Sequence, residues 1–453
     1  MELKNKNILV VGSGISGIAA TQILGTINAS ITLLDGNTKL NKEVIERQIP
    51  EGIDAKVVLG EVTKEQMAAF DAVVLSPGVP TDLPFINEFR AMGTPILGEI
   101  ELAYLFEKGT VVAITGTNGK TTTTALTGQI IKAYNEKTAV VGNIGLPYTS
   151  RVLESEEDSI TVAEVSSFQL ETVKTFKPKV SAILNLTPDH LNRHHTMEAY
   201  IEAKCNVTMN QTEEDTCVLN YEDEVLRKFG ETLKCKVVYF SSARKLENGY
   251  YVNGDNICFA ADGKEEVVVN VHELQVLGKH NYENVMAAVA MAKAVGVDDE
   301  TIHKAVTSFH AVEHRIEYVT EVNGVKYYND SKGTNPDAAI KGIQAMNRKT
   351  VLIGGGYDKE SKYDEWIESF DGKVKKLILL GQTKEKIAEC AKEHGFEDIQ
   401  FVDTLKEAVD TAASIADDGE CVLLSPACAS WGMFKNYEER GEMFKQYVSE
   451  LNK

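Results

Sequence analysis

A glycine-rich loop between an apolar run and a helical pattern constrains the fold of this chain more than any other stretch. Residues 115–123 read Thr-Gly-Thr-Asn-Gly-Lys-Thr-Thr-Thr, and they separate the apolar run Val111–Ile114 from a helical pattern over residues 125–133. This is the order of a phosphate-binding loop, in which backbone N–H groups converge on phosphate oxygens at a helix N-terminus. Lys120 would reach the terminal phosphates, and the Thr121 hydroxyl would bind Mg²⁺. The pattern predicts a nucleotide-binding α/β domain.

The spacing of this loop narrows the class of nucleotide site. The common phosphate loop places four residues between its first glycine and Gly-Lys, but position 114 is Ile in this chain. The loop is therefore shorter. This difference points away from GTPases and motor ATPases and towards an ATP site of the ligase type.

Length, charge and cysteine usage exclude several classes of protein. A chain of 453 residues suggests about three domains. Its 47 basic and 67 acidic side chains give a net charge of −20, which disfavours a nucleic acid or an anionic membrane as partner. The seven cysteines form no Cys-x-x-Cys pair and indicate reduced thiols in the cytoplasm. We expect neither a signal peptide nor a membrane span, because the N-terminus runs directly into a strand and long apolar runs are absent.

The pattern of apolar runs predicts a three-domain α/β chain. Residues 1–98 alternate short strands with helices, as in a Rossmann-like domain. Residues 99–311 form a central P-loop ATPase-like domain, with an antiparallel insertion near 236–270. Residues 312–453 start with a hairpin and continue as a second Rossmann-like domain.

A second glycine motif opens the first domain. Residues 12–17 read Gly-Ser-Gly-Ile-Ser-Gly after a strand, and Asp35 ends the next strand, where an acid that binds ribose belongs. Another loop, Ser76–Pro80, follows a strand at the same sheet edge, although it also suits a plain turn. From these residues alone the ligand is NAD, FAD or a nucleotide-sugar diphosphate.

Polar residues also follow the strands of the central domain. Glu164 ends one strand, and Asp189 and His190 follow the next. Acidic and imidazole groups at strand ends beside a phosphate loop suit Mg²⁺, although a lone Glu or His is as often structural. Lys204 lies on the following helix and, from the sequence alone, is best interpreted as a surface lysine.

Three polar loops follow strands of the third domain. They are residues 330–336, 354–359 and 425–430, and each is rich in glycine, serine or threonine. Because the carboxyl ends of parallel strands share one edge of the sheet, these loops predict a binding face. Cys428 has no evident histidine partner and is interpreted as a bystander.

These motifs together resemble the Mur ligases of cell-wall synthesis. The resemblance is carried over the whole chain by the phosphate loop and by residues 189–191, 280–284, 315, 329–335 and 425–441. It implies an ATP-dependent, ADP-forming ligase that adds D-glutamate to UDP-N-acetylmuramoyl-L-alanine through an acyl phosphate, in peptidoglycan precursor synthesis. It also implies that the first domain binds the UDP substrate instead of a dinucleotide. We further expect a monomer with no nucleic-acid partner.

The resemblance assigns roles to individual residues. ATP is expected to be bound by Gly116, Thr117, Asn118, Gly119, Lys120, Thr121, Thr122, Asn281, Asn284, Arg315, Asp330 and Lys332. The UDP substrate is expected to contact Gly14, Ile15, Ser16, Asp35, Gly36, Ser76, Pro77, Gly78, Asn143 and His190. D-Glutamate is expected to contact Thr334, Lys359, Ser430 and Tyr437. The expected catalytic residues are Lys120, Asn143, His190 and Lys204. Mg²⁺, expected as two ions, is assigned to Thr121, Glu164, His190 and a carbamylated Lys204.

Three alternatives stay open at this stage. Another ligase of the superfamily would add L-alanine or a diamino acid, or would add glutamate to folate. An NAD-dependent oxidoreductase would use residues 12–17 for its dinucleotide. A nucleotide-gated binding module would explain the phosphate loop but not the candidate metal ligands.

Overall fold

The chain forms two compact units that together contain three β-sheets. The computed structural model describes residues 2–143, 146–276, 278–310, 313–358 and 360–451. The first unit comprises Met1–Val269 with Glu283–Val306, and the second comprises Asn270–Tyr282 with Thr307–Lys453. The three-domain α/β class is confirmed, whereas the domain limits near residues 98 and 311 stay predictions. Within the described residues, no helix is long and apolar enough to cross a membrane.

The first sheet has five parallel strands in the order β3-β2-β1-β4-β5. Its strands are β1 (Asn7–Val11), β2 (Ser30–Asp35), β3 (Ala55–Leu59), β4 (Ala72–Leu75) and β5 (Ile96–Gly98). Its helices are α1 (Ile15–Thr26), α2 (Lys42–Gln48), α3 (Lys64–Met67), α4 (Pro84–Ala91) and α5 (Glu99–Tyr104). The strand order reverses at β1, so the loops after β1 and β4 flank the crevice where such sheets bind ligands.

The central sheet has nine strands in the order β14-β13-β12-β11-β10-β9-β6-β8-β7. Its strands are β6 (Thr110–Thr115), β7 (Thr138–Gly142), β8 (Ile160–Glu164), β9 (Val180–Ile183), β10 (Thr216–Asn220), β11 (Lys236–Ser241), β12 (Gly249–Asn253), β13 (Asn256–Ala261) and β14 (Lys264–Asn270). The helices that follow β6 as far as residue 308 are α6 (Lys120–Tyr134), α7 (Ser167–Leu170), α8 (Leu191–His194), α9 (Met197–Cys205), α10 (Glu224–Gly230), α11 (Lys279–Ala294) and α12 (Asp299–Ser308).

The antiparallel insertion begins one strand later than the sequence pattern suggests. Strands β12 and β13 pair antiparallel across the Asn253-Gly254 turn, but β11 pairs parallel with both β10 and β12. The apolar run of β11 does not distinguish the two directions, because strand direction depends on the pairing partner rather than on periodicity.

The sheet of the second unit has six strands in the order β15-β16-β20-β17-β18-β19. Its strands are β15 (Glu317–Val322), β16 (Val325–Asn329), β17 (Thr350–Gly354), β18 (Val374–Leu379), β19 (Ile399–Phe401) and β20 (Cys421–Leu424). Its helices are α13 (Pro336–Ala345), α14 (Asp364–Glu368), α15 (Lys384–Glu393), α16 (Leu405–Ile415) and α17 (Tyr437–Glu450). The predicted hairpin is confirmed by the antiparallel pairing of β15 with β16.

Helix α5 joins the first sheet to the central sheet through buried carboxylates. Glu101 accepts hydrogen bonds from the backbone N–H groups of Lys174 (2.9 Å), Thr175 (2.7 Å) and Phe176 (3.1 Å). It also accepts one from the Thr175 hydroxyl at 2.6 Å. Four donors compensate the charge that burial of this carboxylate would otherwise leave unpaired.

We predict that Glu101→Gln destabilises the first unit by about 2–4 kcal/mol, because an amide nitrogen then faces buried N–H donors. Urea unfolding followed by circular dichroism measures this change. Tryptophan fluorescence reports the second unit separately, since both tryptophans, Trp366 and Trp431, belong to it.

The matched control is Glu154→Gln, which alters an exposed carboxylate paired with Arg151. We expect it to change stability by less than about 0.5 kcal/mol. An equal effect of the two variants would contradict the role given to Glu101.

Candidate functional site

The phosphate loop follows β6 and has a backbone that only glycine adopts readily. Gly116 has a φ of 144° and Gly119 a φ of 85°, and Gly119 is the N-cap of α6. A Cβ atom on Gly119 would lie 2.4 Å from the Asn284 Oδ1. The Asn118 N–H donates to the Asn185 side chain at 2.8 Å, which ties the loop to the segment after β9. The loop is therefore fixed in shape beside the start of α6, as a phosphate cradle requires.

Two lysines meet at one carbonyl oxygen of this loop. Lys120 Nζ donates to the Gly116 oxygen and to the Thr117 oxygen, each at 2.8 Å. Lys204 Nζ, from α9, donates to the same Gly116 oxygen at 2.7 Å. The side chain of Lys204 is only 2% exposed, so it is not the surface lysine that the sequence pattern favours. Burial lowers the pKa of Lys204 well below its ordinary value, and the charge of Lys120 lowers it further.

Glu164 ends β8, and one of its carboxylate oxygens has no hydrogen-bond partner among the residues that the structure describes. Asn143 donates its side-chain N–H to Glu164 Oε1 at 2.9 Å and its backbone N–H to the Glu164 carbonyl at 2.8 Å. Glu164 Oε2 is buried and, within the described residues, accepts no hydrogen bond. A buried anionic oxygen without a donor is costly unless a cation binds it.

His190 lies in the left-handed region at the start of α8, with a φ of 52°. Its ring packs edge-on against Phe168, with centroids 4.8 Å apart, and its Nε2 lies 3.5 Å from an Asp189 carboxylate oxygen. Burial lowers the pKa of His190, Asp189 opposes this shift, and Lys120 and Lys204 add to it. The lowered pKa favours the neutral imidazole, which can bind a cation or accept a hydrogen bond.

The donor atoms that these residues offer suit a divalent cation. The structure brings Lys120, Asn143, Glu164, His190 and Lys204 to the carboxyl end of the central sheet, while Thr121 occupies the first turn of α6. Carboxylate, hydroxyl and carbamate oxygens are suitable Mg²⁺ ligands, whereas an ammonium is not. The unpartnered Glu164 oxygen supports the fit, and Lys204 fits it only in an uncharged or carbamylated form.

The glycine loop of the first sheet is braced by Asp35 and Ser76. Asp35 Oδ2 accepts from the Ser13 N–H at 2.9 Å and the Ser13 hydroxyl at 2.7 Å, and the Ser76 hydroxyl donates to the Gly12 oxygen at 3.2 Å. Burial raises the pKa of Asp35, but the hydrogen bonds from Ser13 and Asn37 together lower it by more. The pKa therefore lies below its ordinary value. This bracing role is one that the sequence reasoning missed.

The predicted UDP-substrate residues of this sheet share an accessible edge. Ile15, in the first turn of α1, is 75% exposed. The remaining members of the set are partly or fully exposed: Gly14, Ser16, Asp35, Gly36, Ser76, Pro77 and Gly78. The structure leaves them accessible, and their contacts with a ligand stay predictions.

The second unit contains a fully buried carboxyl group. Asp330 accepts from the Ser425 hydroxyl at 2.7 Å, and its other oxygen lies 3.9 Å from an Arg315 nitrogen. Burial raises the pKa of Asp330 to about 6, against the opposing effects of Arg315 and Ser425. Arg315 and Asp330 are thus brought together, and their joint assignment to the nucleotide stays a prediction.

Three of the predicted D-glutamate residues are described in the same unit: Thr334 and Ser430 lie on loops, and Tyr437 begins α17. Ser430 is buried, Thr334 and Tyr437 are half-buried, and Lys332 Nζ lies 5.6 Å from the centre of the Tyr437 ring. Lys359 lies outside the described residues. The roles of all four stay predictions.

Arg440 is a positioning residue that the sequence reasoning left without a role. Its Nε donates to the Ser331 hydroxyl at 2.9 Å, and its Nη2 donates to the Ser331 oxygen at 2.8 Å. Both terminal nitrogens donate to the Cys428 oxygen at 3.2 Å. Burial lowers the pKa of Arg440 to about 10, which leaves it charged at pH 7. The loop with Asp330 and the loop with Ser430 are therefore held by one guanidinium.

Two of the predicted ATP-binding residues, Asn281 and Asn284, belong to different units. Both are buried, and Asn284 accepts from the Thr123 hydroxyl at 3.2 Å. Asn284 therefore packs on α6 directly behind the phosphate loop. The neighbouring His280 has a ring nitrogen that is buried without a hydrogen-bond partner within the described residues, and burial lowers its pKa to about 3.

Family profiles match three consecutive parts of the chain. The Mur ligase MurD-like N-terminal domain matches residues 6–98, the Mur ligase middle domain 114–292, and the Mur ligase glutamate ligase domain 314–428. A UDP-N-acetylmuramoylalanine–D-glutamate ligase from Lachnoclostridium phytofermentans is 58% identical over 451 residues, covering 100% of this chain and 99% of the relative. The chain belongs to the Mur ligase family, in its UDP-N-acetylmuramoylalanine–D-glutamate ligase branch.

Solved Mur ligases share the fold at low sequence identity. The UDP-N-acetylmuramate–alanine ligase MurC of Thermotoga maritima is 21% identical, with a TM-score of 0.59 and coverage of 98% of this chain and 100% of that one. The MurF ligase of Thermotoga maritima, solved in complex with ADP, is 18% identical, with a TM-score of 0.60 and coverage of 99% and 96%. At this identity the likeness supports the Mur ligase fold alone.

We predict that Asp330→Asn removes a pH-dependent part of the stability of the second unit. Native Asp330 holds its proton up to about pH 6, whereas the unfolded carboxyl releases it near its ordinary pKa of 3.8. The native state therefore binds more protons between these values, and this group makes the unfolding free energy fall as pH rises from about 4 to 6.

Relative to Asp330→Asn, the wild type should lose about 2 kcal/mol of stability between about pH 4.5 and pH 7. Tryptophan fluorescence in urea at several pH values measures this difference. Asp417→Asn is the control, because Asp417 is an exposed residue paired with Lys375. If the difference in unfolding free energy between wild type and Asp330→Asn were the same at every pH, the raised pKa of Asp330 would be contradicted.

Proposed function

We infer that this chain is an ATP-dependent, ADP-forming ligase that joins D-glutamate to UDP-N-acetylmuramoyl-L-alanine in peptidoglycan synthesis. The observation that carries this proposal is a group of three side chains: the phosphate-loop Lys120, the buried Lys204, and Glu164, whose Oε2 accepts no hydrogen bond from the described part of the chain. The identity of the two joined substrates is supported by the names of relatives that match over the full chain.

The proposed reaction has two steps. The alanyl carboxylate of the UDP substrate attacks the γ-phosphorus of ATP, so that a new O–P bond forms, the bond to ADP breaks and an acyl phosphate results. The amine of D-glutamate then attacks the carbonyl carbon, and the tetrahedral intermediate expels phosphate and loses a proton to form the amide. Both reactants of the first step are anions, so charge compensation and positioning carry most of the catalysis.

Lys120 is proposed to supply part of that compensation. Its ammonium lies at the mouth of the phosphate loop, where the N-terminus of α6 adds partial positive charge. Asn143 is proposed to orient Glu164, and neutral His190 to face the reacting carboxylate. The position of each side chain beside the loop supports these proposed roles.

Mg²⁺ is proposed to be held by Thr121, Glu164, His190 and carbamylated Lys204, as two ions. The metal would supply charge neutralisation at the phosphates. Lys204 suits carbamylation because burial lowers its pKa well below the ordinary value and so favours the neutral amine. That amine attacks the carbon of CO₂, an N–C bond forms, one C=O electron pair moves to oxygen, and the nitrogen loses a proton. The product is an anionic oxygen donor in place of an ammonium.

The remaining assignments are proposals of the same kind. Residues 14–16, 35–36 and 76–78 are proposed to bind the UDP part, and Thr334, Lys359, Ser430 and Tyr437 to bind D-glutamate. Asn281, Asn284, Arg315, Asp330 and Lys332 are proposed to complete nucleotide binding. The monomeric state, the cytoplasmic location and the absence of a nucleic-acid partner also stay predictions.

We predict that phosphate release requires ATP, Mg²⁺, UDP-N-acetylmuramoyl-L-alanine and D-glutamate together. The assay replaces D-glutamate by L-glutamate, L-alanine or a diamino acid in turn. Lys120→Met should lower kcat at least about 10²-fold, because it removes a charge that compensates the transferred phosphoryl group.

Lys132→Met is the matched control, since Lys132 is an exposed lysine on the same helix. Release that depends on another amino acid would move the specificity within the Mur ligases. No release with any of them, from folded protein with Mg²⁺, would overturn the ligase proposal.

A further inference from the structure

An ion pair in the first unit connects the loop after β4 to the segment that carries His190. The pair is Glu171, which follows α7, and Arg193, on α8. Arg193 Nη2 lies 3.0 Å from Glu171 Oε2, and the two side chains are only 12% and 15% exposed. A pair with so little exposure is weakly screened by solvent, unlike most surface ion pairs.

The same two residues bind the loop after β4 directly. Arg193 Nη2 donates to the Val79 oxygen at 3.1 Å, and the Thr81 hydroxyl donates to Glu171 Oε2 at 2.9 Å. Partners in these two bonds are 114 and 90 residues apart in the chain, so the contacts are tertiary. The loop they hold continues from Ser76–Gly78, the segment proposed to bind the UDP part of the substrate.

Phe168 extends the contact from this pair to His190. The Arg193 guanidinium lies 4.6 Å from the centre of the Phe168 ring. The Phe168 and His190 rings pack in a T-shaped arrangement, with their centroids 4.8 Å apart. His194 stacks on Phe168 at 5.5 Å and is itself fixed between the Ser167 hydroxyl (2.9 Å) and Glu171 (3.3 Å). Because Arg193 covers Phe168 and Phe168 contacts His190, Arg193 influences the orientation of the His190 ring through Phe168.

We propose that Glu171 and Arg193 are positioning residues that hold the UDP-substrate loop and His190 in one fixed geometry. We call the contacts of Glu171 and Arg193 with Val79, Thr81 and Phe168 the clamp. The predicted effect of the clamp on turnover rests on the proposed function, whereas the contacts themselves are a property of the structure. One guanidinium binds the Val79 carbonyl, the Glu171 carboxylate and the Phe168 face at once. Nη2 makes both hydrogen bonds while the planar guanidinium covers the ring, and a lysine ammonium has no flat face with which to reproduce that stacking.

The clamp predicts different kinetic effects at its two ends. Loosening the loop should weaken binding of the UDP substrate, because that loop does not face ATP or D-glutamate in the proposal. Loosening the Phe168 contact should instead lower kcat, because His190 is proposed to face the reacting carboxylate. A residue that only stabilised the fold would not separate KM from kcat in this way.

The experiment measures KM for each substrate and kcat in three variants. Arg193→Lys should raise KM for the UDP substrate about tenfold, and Thr81→Val about threefold, with KM for ATP and D-glutamate changed less than about twofold. Phe168→Leu should lower kcat about fivefold with little change in any KM. The control is Arg151→Lys, since Arg151 pairs with Glu154 at the surface.

Hydrogen exchange tests the clamp independently of the reaction. The backbone amides of the non-proline residues in 76–82 should exchange at least about fivefold faster in Arg193→Lys, whereas those of β6 should not change. Thr81→Val keeps the test valid if Arg193→Lys fails to fold, because it removes a single hydroxyl from a half-buried loop residue.

The outcomes separate the two proposals. If the wild type shows no turnover of the UDP substrate but loop exchange accelerates as predicted, the proposed function is wrong and the clamp stands. If the wild type is an active ligase but loop exchange is unchanged, the clamp is overturned. A uniform rise of all three KM values, or unchanged kinetics in both Arg193→Lys and Thr81→Val, would also overturn it.

Discussion

Two lysine amino groups donate hydrogen bonds to the same backbone carbonyl oxygen, and the site depends on the constraint that this creates. Lys120 and Lys204 both donate to the Gly116 carbonyl, and Lys204 is almost fully buried. Two ammonium groups so close together repel each other, and burial adds a desolvation penalty for the charged form. The arrangement is stable when Lys204 is neutral or has become an anion, and in the second case the site gains an oxygen donor next to Glu164.

The topology of the sheets explains why these groups meet. Glu164 ends β8, the phosphate loop follows β6, and the segment with His190 follows β9. The three strands are parallel neighbours, so their carboxyl ends lie side by side. The first sheet and the sheet of the second unit repeat this arrangement, because Asp35 ends β2 and Asp330 directly follows β16. Each sheet therefore presents its polar loops at one edge.

Local sequence predicts the parts of this site that depend on short-range physics. The phosphate loop is recognisable because Gly116 and Gly119 need positive φ angles, and the β15–β16 hairpin because Asn323-Gly324 favours a tight turn. The burial of Lys204 is not predictable in this way, since a lysine on α9 carries no local sign of what packs over it. Arg440, Glu171 and Arg193 were missed for the same reason: their partners are distant in sequence, and an isolated charge usually indicates a solvated surface. The direction of β11 likewise depends on its neighbours in the sheet.

The most direct test of this account is ¹³C NMR of the protein equilibrated with ¹³C-labelled bicarbonate and Mg²⁺. If Lys204 is present as its neutral amine and reacts with CO₂, a carbamate resonance appears in the wild type, persists in the exposed-lysine control Lys132→Arg and disappears in Lys204→Arg. A spectrum without a carbamate resonance, or with one that Lys204→Arg leaves unchanged, would contradict the account.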